Sequence, residues 1–286
     1  MPFSFHAYKD HFGLSRHPFA LPPDQEFLYW SRPAREAYGM LRYGLSSHAA
    51  VTLFTGESGA GKTIVAQHFL SELAGDDALA IAQMKDASLG RRGILHALMP
   101  NLPLSEIGDD QWLQQVQHYL GAEDSESRRT LLIIDDAHNL PPEALDDLQG
   151  LTGLRMGGHQ ALQLLLIGQP ELRDRMRLPG LVQFVQRVVS NYHVPHLPAV
   201  AVHSYIAHRL RLAGAGSGIF SERVALRVNE VTDGVPRLIN SLCDLALSHA
   251  YAARRDRVTA QLVQAVVDDG LFVAPTTSYQ QGRGLG

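Results

Sequence analysis

The sequence predicts a three-layer α/β core built on a parallel sheet, followed by a small all-α lid unit. Three observations carry this. Between residue 51 and about residue 196, short apolar runs alternate with helix-compatible stretches, the pattern of strand–helix–strand connections. The runs are continuous, as in Leu131-Leu132-Ile133-Ile134, which suits strands covered on both faces. After Pro195 and Pro198 the character changes, and helix-like segments follow one another, separated by Gly/Ser or Asp-Gly breaks.

Taken in order, residues 1–50 are rich in aromatics and prolines (FGLSRHPFALPPDQEFLYWS). They show no regular period but are too apolar for a disordered arm, so they are expected to pack on the core. Residues 35–45 read as a helix leading to the first strand. Strands are expected over 51–55, 78–82, 131–135, 162–168 and 188–194. Residues 121–129, GAEDSESRR, read as a polar loop. Helices are expected over 199–213, 221–233, 236–254 and 259–269. Ser221 with Glu222 and Thr259 supply helix starts, Asp233-Gly234 a stop, and Pro236 the first position of the next helix. The end, TTSYQQGRGLG, reads as a flexible tail. The division is an N-terminal segment 1–50, an α/β nucleotide-binding domain 51–197, a helical lid 198–270 and a tail 271–286.

Composition narrows the class. The 286 residues are 45% hydrophobic, enough for one large core and a smaller unit. A net charge of −4 implies no general attraction to nucleic acid or acidic membranes. The single cysteine, Cys243, excludes an intramolecular disulfide framework and a cysteine-rich zinc site, and fits a cytoplasmic compartment. No apolar stretch approaches a membrane span, and MPFSFHAYKD lacks a signal peptide's basic start and apolar centre. The 14 histidines are scattered. His193 and His196 are expected on opposite faces of one strand, which argues against a histidine metal site.

The chemistry starts at Gly56-Glu57-Ser58-Gly59-Ala60-Gly61-Lys62-Thr63, a G-x-x-x-x-G-K-[ST] P-loop between an apolar run and a helix-like run. A triphosphate must exchange its water for inward-pointing backbone N–H groups. Gly56, Gly59 and Gly61 are expected to supply positive φ and close backbone approach. The helix that follows directs free N–H groups and its positive dipole end at the same place. Lys62 adds a cation for the β- and γ-phosphates, and the Thr63 hydroxyl is a ligand for Mg²⁺. Leu131 to Ile134 then run into Asp135 and Asp136. Successive strand residues point opposite ways, so two jobs are expected: Asp135 holds Mg²⁺ through water, and Asp136 orients or deprotonates the attacking water. Gln169, after Leu164-Leu165-Leu166-Ile167-Gly168, either senses the γ-phosphate or simply opens a turn before Pro170.

Together these residues resemble an AAA+ ATPase, a three-layer P-loop NTPase with a helical lid. More narrowly the chain is similar to the ExeA-type, secretion pathway protein A, ATPases. The resemblance rests on FGLSRHPFALPPDQEFLYWS, IIDDAHNL, LLIGQPEL, QRV, YIAHRL and GVPRLIN, and covers roughly residues 8 to 270. It implies ATP and Mg²⁺ as ligands. It implies that Arg187 is an arginine finger reaching a neighbouring subunit's γ-phosphate in trans, hence a homo-oligomer, and that Arg237 is the lid arginine. Both suit oxyanion clamping because they stay charged and fork. One departure matters: the family usually has Glu after the first acid, and here it is Asp136. The shorter arm implies tight ATP binding with slow hydrolysis.

The resemblance implies a switch or motor for assembling a cell-envelope system (secretion, pilus or exopolysaccharide machinery). It would act through partner proteins, cytoplasmic or peripheral at the inner membrane, since the chain stops shortly after the lid. Two alternatives stand beside it. One is a DNA-bound transposition regulator similar to the TniB/TnsC group, with Arg91-Arg92, Arg173/Arg175/Arg177 and Arg254-Arg255/Arg257 as candidate contacts; DNA is not the favoured partner. The other is an ATP-binding scaffold with little hydrolysis. No LSGGQ-like signature supports an ABC transport ATPase. Tyr29 is a candidate to pack near adenine, with a plain core role the stronger reading.

Overall fold

The computed structural model describes residues 8–101, 111–121, 129–156 and 159–273. The polar loop expected over 121–129 falls mostly outside these residues, as does the tail beyond 273. Contacts divide the chain into two units. One takes the described residues of Met1–Ala34, Gly59–Ile64 and Pro195–Gly286, the other those of Arg35–Ser58 and Val65–Val194.

The second unit is built on five parallel strands, β1 (Val51–Gly56), β2 (Leu79–Met84), β3 (Arg129–Ile134), β4 (Leu162–Gly168) and β5 (Val188–Val194), in the order β2-β3-β4-β1-β5. The last two have the expected bounds. β2 starts one residue late because the Ala78 N–H donates to Asp76 Oδ1 in the preceding turn. β3 starts two residues early and releases the chain before Asp135.

Alternation along the buried strands sends side chains to two covered faces. On one, Leu132, Ile134, Leu164 and Leu166 join a core with Ile94 and Leu98 of the helix Gly90–Leu98, Trp112 and Val116 of Trp112–Gly121, and Leu145 and Leu148 of Pro142–Leu151. On the other, Leu131 and Leu165 face Leu41 of α1 (Arg32–Ser46) and Phe69 of α2 (Lys62–Leu73). Each buried leucine or isoleucine contributes about 1.5–3 kcal/mol. α1 is longer than the expected 35–45. A glutamine closes its C-terminal end: Gln163 Nε2 on β4 donates to the carbonyls of Gly44, Leu45 and Ala49, each at 3.3 Å.

In the first unit, the helices Ala199–Leu212, Glu222–Thr232, Pro236–Ala252 and Ala260–Asp268 fall within the expected ranges. Ser221 and Thr259 are N-caps as expected, accepting from the N–H groups of Val224 and Leu262. The Asp233-Gly234 stop is a left-handed pair, φ 50° and 70°. A Cβ on Gly234 would come within 2.1 Å of the Leu197 carbonyl. Cys243 is fully buried in this core, and burial pushes its thiol well above the ordinary value, so it is a packing residue.

The N-terminal aromatics differ from expectation. Tyr8, Phe12, Leu14 and Phe19 do not join the sheet core; they belong to the helical core with Val202, Ile206, Leu242 and Leu247. The segment adds its aromatic side chains to the core that the four helices share. Arg209, 5% exposed, locks it in place. Its guanidinium donates to the Pro18 and Ala20 carbonyls and sits 4.8 Å from the Phe27 ring centroid. No helix among the described residues is long and apolar enough to cross a membrane.

Candidate functional site

β1 runs directly into the loop Gly56–Thr63, and α2 opens at Lys62. Gly59 and Gly61 adopt φ of +81° and +95°, as the cradle requires. Gly56 does not have a positive φ, which corrects the expectation for that residue. It is a glycine for space, since a Cβ there would lie 2.8 Å from the Val194 carbonyl oxygen at the end of β5. Ala60 is buried and Glu57 and Ser58 are exposed. Lys62 is only 8% exposed, and Thr63 is half-buried in the first turn of the 12-residue α2. Two left-handed glycines before a helix start and a covered ammonium fit a polyphosphate, whose charge they match.

The loop also meets the start of the helix Pro236–Ala252 within the first unit. The Arg237 N–H donates to the Gly59 carbonyl at 3.2 Å, and a Cβ on Gly59 would lie 2.5 Å from Arg237 Cβ. Arg237 itself is exposed.

On the sheet unit, Ile134 pairs with Leu166 and Gly168 pairs with Thr55. Asp135, Gln169 and the residues after Gly56 therefore leave the same C-terminal edge of the sheet, where ligands bind in such folds. Strand alternation does not set the two acids, since neither lies in β3. Asp135 Oδ1 accepts the Asp136 N–H at 2.9 Å, and Asp136 turns into a left-handed conformation, φ 49° and ψ 36°. Its carboxylate is 62% exposed.

Gln169 meets a residue that sequence reasoning missed. Its N–H donates to His138 Nδ1 at 3.4 Å, and its amide lies 3.0 Å from His138 Nε2. His138 Nδ1 is also 4.0 Å from Asp136 Oδ1. In sequence His138 is one of 14 scattered histidines; only the pairing of β3 with β4 brings it to Gln169. Arg187 donates to the Gln149 carbonyl at 2.7 Å and to Thr152 Oγ1 at 2.6 Å, at the end of the helix Pro142–Leu151.

The other candidates differ in their surroundings. Tyr29 lies edge-on to Tyr205 at 5.8 Å and tilted against His208 at 5.4 Å. His193 faces Thr55 Oγ1 at 3.3 Å, and His196 lies beyond β5, 3.1 Å from Asp233, so the two do not share a strand. Arg91 pairs with Asp147, Arg175 donates to the His138 and Leu140 carbonyls, and Arg177 pairs with Asp174. Arg92, Arg173, Arg254, Arg255 and Arg257 complete the arginine sets; the last three are exposed.

Residues 45–176 match the AAA domain family. Over 275 residues, 93% of its length, the chain is 35% identical to General secretion pathway protein A of Aeromonas hydrophila. The chain thus carries an AAA domain and is similar, over nearly its whole length, to a secretion pathway protein A of the ExeA type. It spans about half, 50%, of that curated relative's length. Among solved structures it is similar to the ORC2 protein of Aeropyrum pernix, with a TM-score of 0.61 and 18% identity over 92% of this chain and 73% of that one. It is also similar to Cdc6p of Pyrobaculum aerophilum, with a TM-score of 0.62 and 16% identity over 93% and 72%. At such identities these structures speak for the AAA+ fold alone.

Proposed function

We propose that this AAA+ module binds Mg-ATP on the Gly56–Thr63 loop and hydrolyses it slowly to drive or switch assembly of a cell-envelope system. The observation that carries the reading is the loop itself: left-handed Gly59 and Gly61 between a fully buried strand and a helix opening at the covered Lys62. In this reading, backbone N–H groups of residues 57–63 replace water around the phosphates, and Lys62 balances their charge. Magnesium, when bound, would supply charge neutralisation at the β- and γ-oxygens; Thr63, and Asp135 through water, are the residues to hold it. Asp136 takes a proton from the attacking water as its oxygen bonds to the γ-phosphorus. The bond from that phosphorus to the bridging oxygen breaks, and ADP and phosphate leave. Gln169 senses the γ-phosphate, Arg237 clamps it from the lid, and Arg187 serves a neighbouring subunit in a homo-oligomer after exchanging its two bonds at the helix end.

The envelope role, with the module cytoplasmic or held at the inner membrane by a partner protein, is supported by the similarity to General secretion pathway protein A. The DNA-bound reading draws less support, because Arg91, Arg175 and Arg177 are already engaged within their own unit.

Calorimetric titration of Mg-ATP into wild type and Lys62→Ala, with phosphate release measured on both, tests the reading. Wild type binds and turns over slowly, and loss of the cation weakens binding by about 10–100-fold, the size of a charge-assisted contact. Absence of heat in wild type, or equal affinity in the variant, would sink it. Binding without any turnover would leave the scaffold reading.

A further inference from the structure

The geometry points to His138 as a positioning residue for ATP hydrolysis, one that fixes which way the Gln169 amide faces and ties it to the turn carrying Asp136. This rests on the hydrolytic reading above.

The tautomer follows from a donor that has no alternative. The Gln169 backbone N–H can only donate, and it meets His138 Nδ1 at 3.4 Å. Nδ1 is therefore the acceptor, and the neutral ring carries its proton on Nε2. That N–H needs an acceptor, and the atom assigned 3.0 Å away is the Gln169 amide nitrogen, a donor. The amide's O and N are interchangeable by a half-turn, so its oxygen turns to the imidazole and its NH₂ turns away. Gln169 is thereby held as a hydrogen-bond donor toward whatever lies beyond it. A γ-phosphate oxygen, or the oxygen of the attacking water, is the matching acceptor. A free glutamine would sample both orientations and present the wrong atom part of the time.

The ring is well held for this. Its side chain is 13% exposed. Its backbone carbonyl is gripped by the Arg175 guanidinium, which also donates to the Leu140 carbonyl. Gly168 leaves room for the turn backbone: a Cβ there would sit 3.3 Å from the His138 backbone nitrogen and 2.8 Å from Leu172 Cδ2. Asp136, two residues before His138, opens the same short turn Ala137–Asn139 and stands 4.0 Å from Nδ1. A shift of Gln169 on losing or gaining its phosphate contact would therefore move the turn that sets the Asp136 carboxylate.

A double-mutant cycle on kcat tests this, with His138→Ala, Gln169→Ala, the double variant, and His138→Gln as the conservative replacement that keeps both a donor and an acceptor. His138→Ala is expected to lower kcat about 10-fold or more, as loss of orientation at a reacting group does, with the calorimetric Kd for Mg-ATP within about 2-fold of wild type. The double variant should be no slower than Gln169→Ala, and His138→Gln should recover most of the rate. Multiplying effects in the double variant, or an ATP affinity that falls as much as kcat, would overturn the assignment. Should His138→Ala fail to fold, His138→Gln beside Gln169→Ala decides: a rate as low as that of Gln169→Ala overturns it. Wild-type turnover abolished by Lys62→Ala keeps the hydrolytic reading standing whatever the cycle gives; no wild-type turnover removes both.

Discussion

Asp136 combines two unusual choices, a short acid where similar proteins usually carry Glu and a left-handed backbone, φ 49°. The two fit each other. Asp enters the left-handed region more readily than longer side chains, whose cost there is on the order of 1 kcal/mol, and its N–H is taken up by Asp135 Oδ1. The chain gains an easily formed turn and gives up reach toward the water. Asp136→Glu is therefore expected to raise ATP turnover several-fold while lowering stability by about 1 kcal/mol. Steady-state phosphate release and a thermal melt measure the two effects, and equal or lower turnover in the variant refutes the account. The same residue shows where sequence reading stops. Strand alternation was the expected basis for two roles, but Asp135 and Asp136 lie beyond the strand and Asp136 is left-handed. His138 stands inside the IIDDAHNL motif, but nothing local in the sequence shows its role, because its partner Gln169 lies 31 positions away.

At the scale of elements, local rules went far. β4 and β5 keep their expected bounds because Gln169-Pro170 and Pro195 cut them off sharply, and Ser221 and Thr259 cap their helices because short hydroxyl side chains reach the first free N–H groups. What local rules could not show is a polar residue working inside a strand. Gln163 interrupts an apolar run, and its value lies across the fold, where its NH₂ reaches the Gly44 and Leu45 carbonyls at the end of α1 and the Ala49 carbonyl beyond it. Its Oε1 is buried and meets no donor among the described residues, so the residue is kept for its NH₂ alone. Gln163→Leu removes that unsatisfied oxygen but takes the side-chain donor from the Ala49 carbonyl, while the Gly44 and Leu45 carbonyls keep the N–H groups of Ala49 and His48, so a net loss of about 1 kcal/mol is expected. A melting midpoint equal to or above that of wild type would show that the capping contributes nothing.

For the whole molecule, the boundary between units is set by who completes whose core. The C-terminal stretch of the helical unit starts at Pro195, where composition changes, and residues 8–34 join it from the other end of the sequence. Composition along the chain cannot show such a long-range pairing; only the fit of Tyr8, Phe12, Leu14 and Phe19 among the lid helices does. Arg209 makes the arrangement obligatory. Buried at 5% exposure, its cation relies on the carbonyls of Pro18 and Ala20 and on the Phe27 and Tyr205 rings. Deleting residues 1–31 removes several side chains worth about 1.5–3 kcal/mol each and leaves that guanidinium only Tyr205 of these partners, a loss of up to about 3–5 kcal/mol for a covered charge. The helical unit of the truncated chain is therefore expected to melt early and as a separate transition while the sheet unit persists. Calorimetry with far-ultraviolet circular dichroism separates the two. Arg209→Leu in the full chain discriminates the causes: with the aromatic segment retained and the charge gone, most of the stability should remain. A truncated chain that melts in one transition at the wild-type temperature would show that the segment is only an appendage and that the lid folds without it.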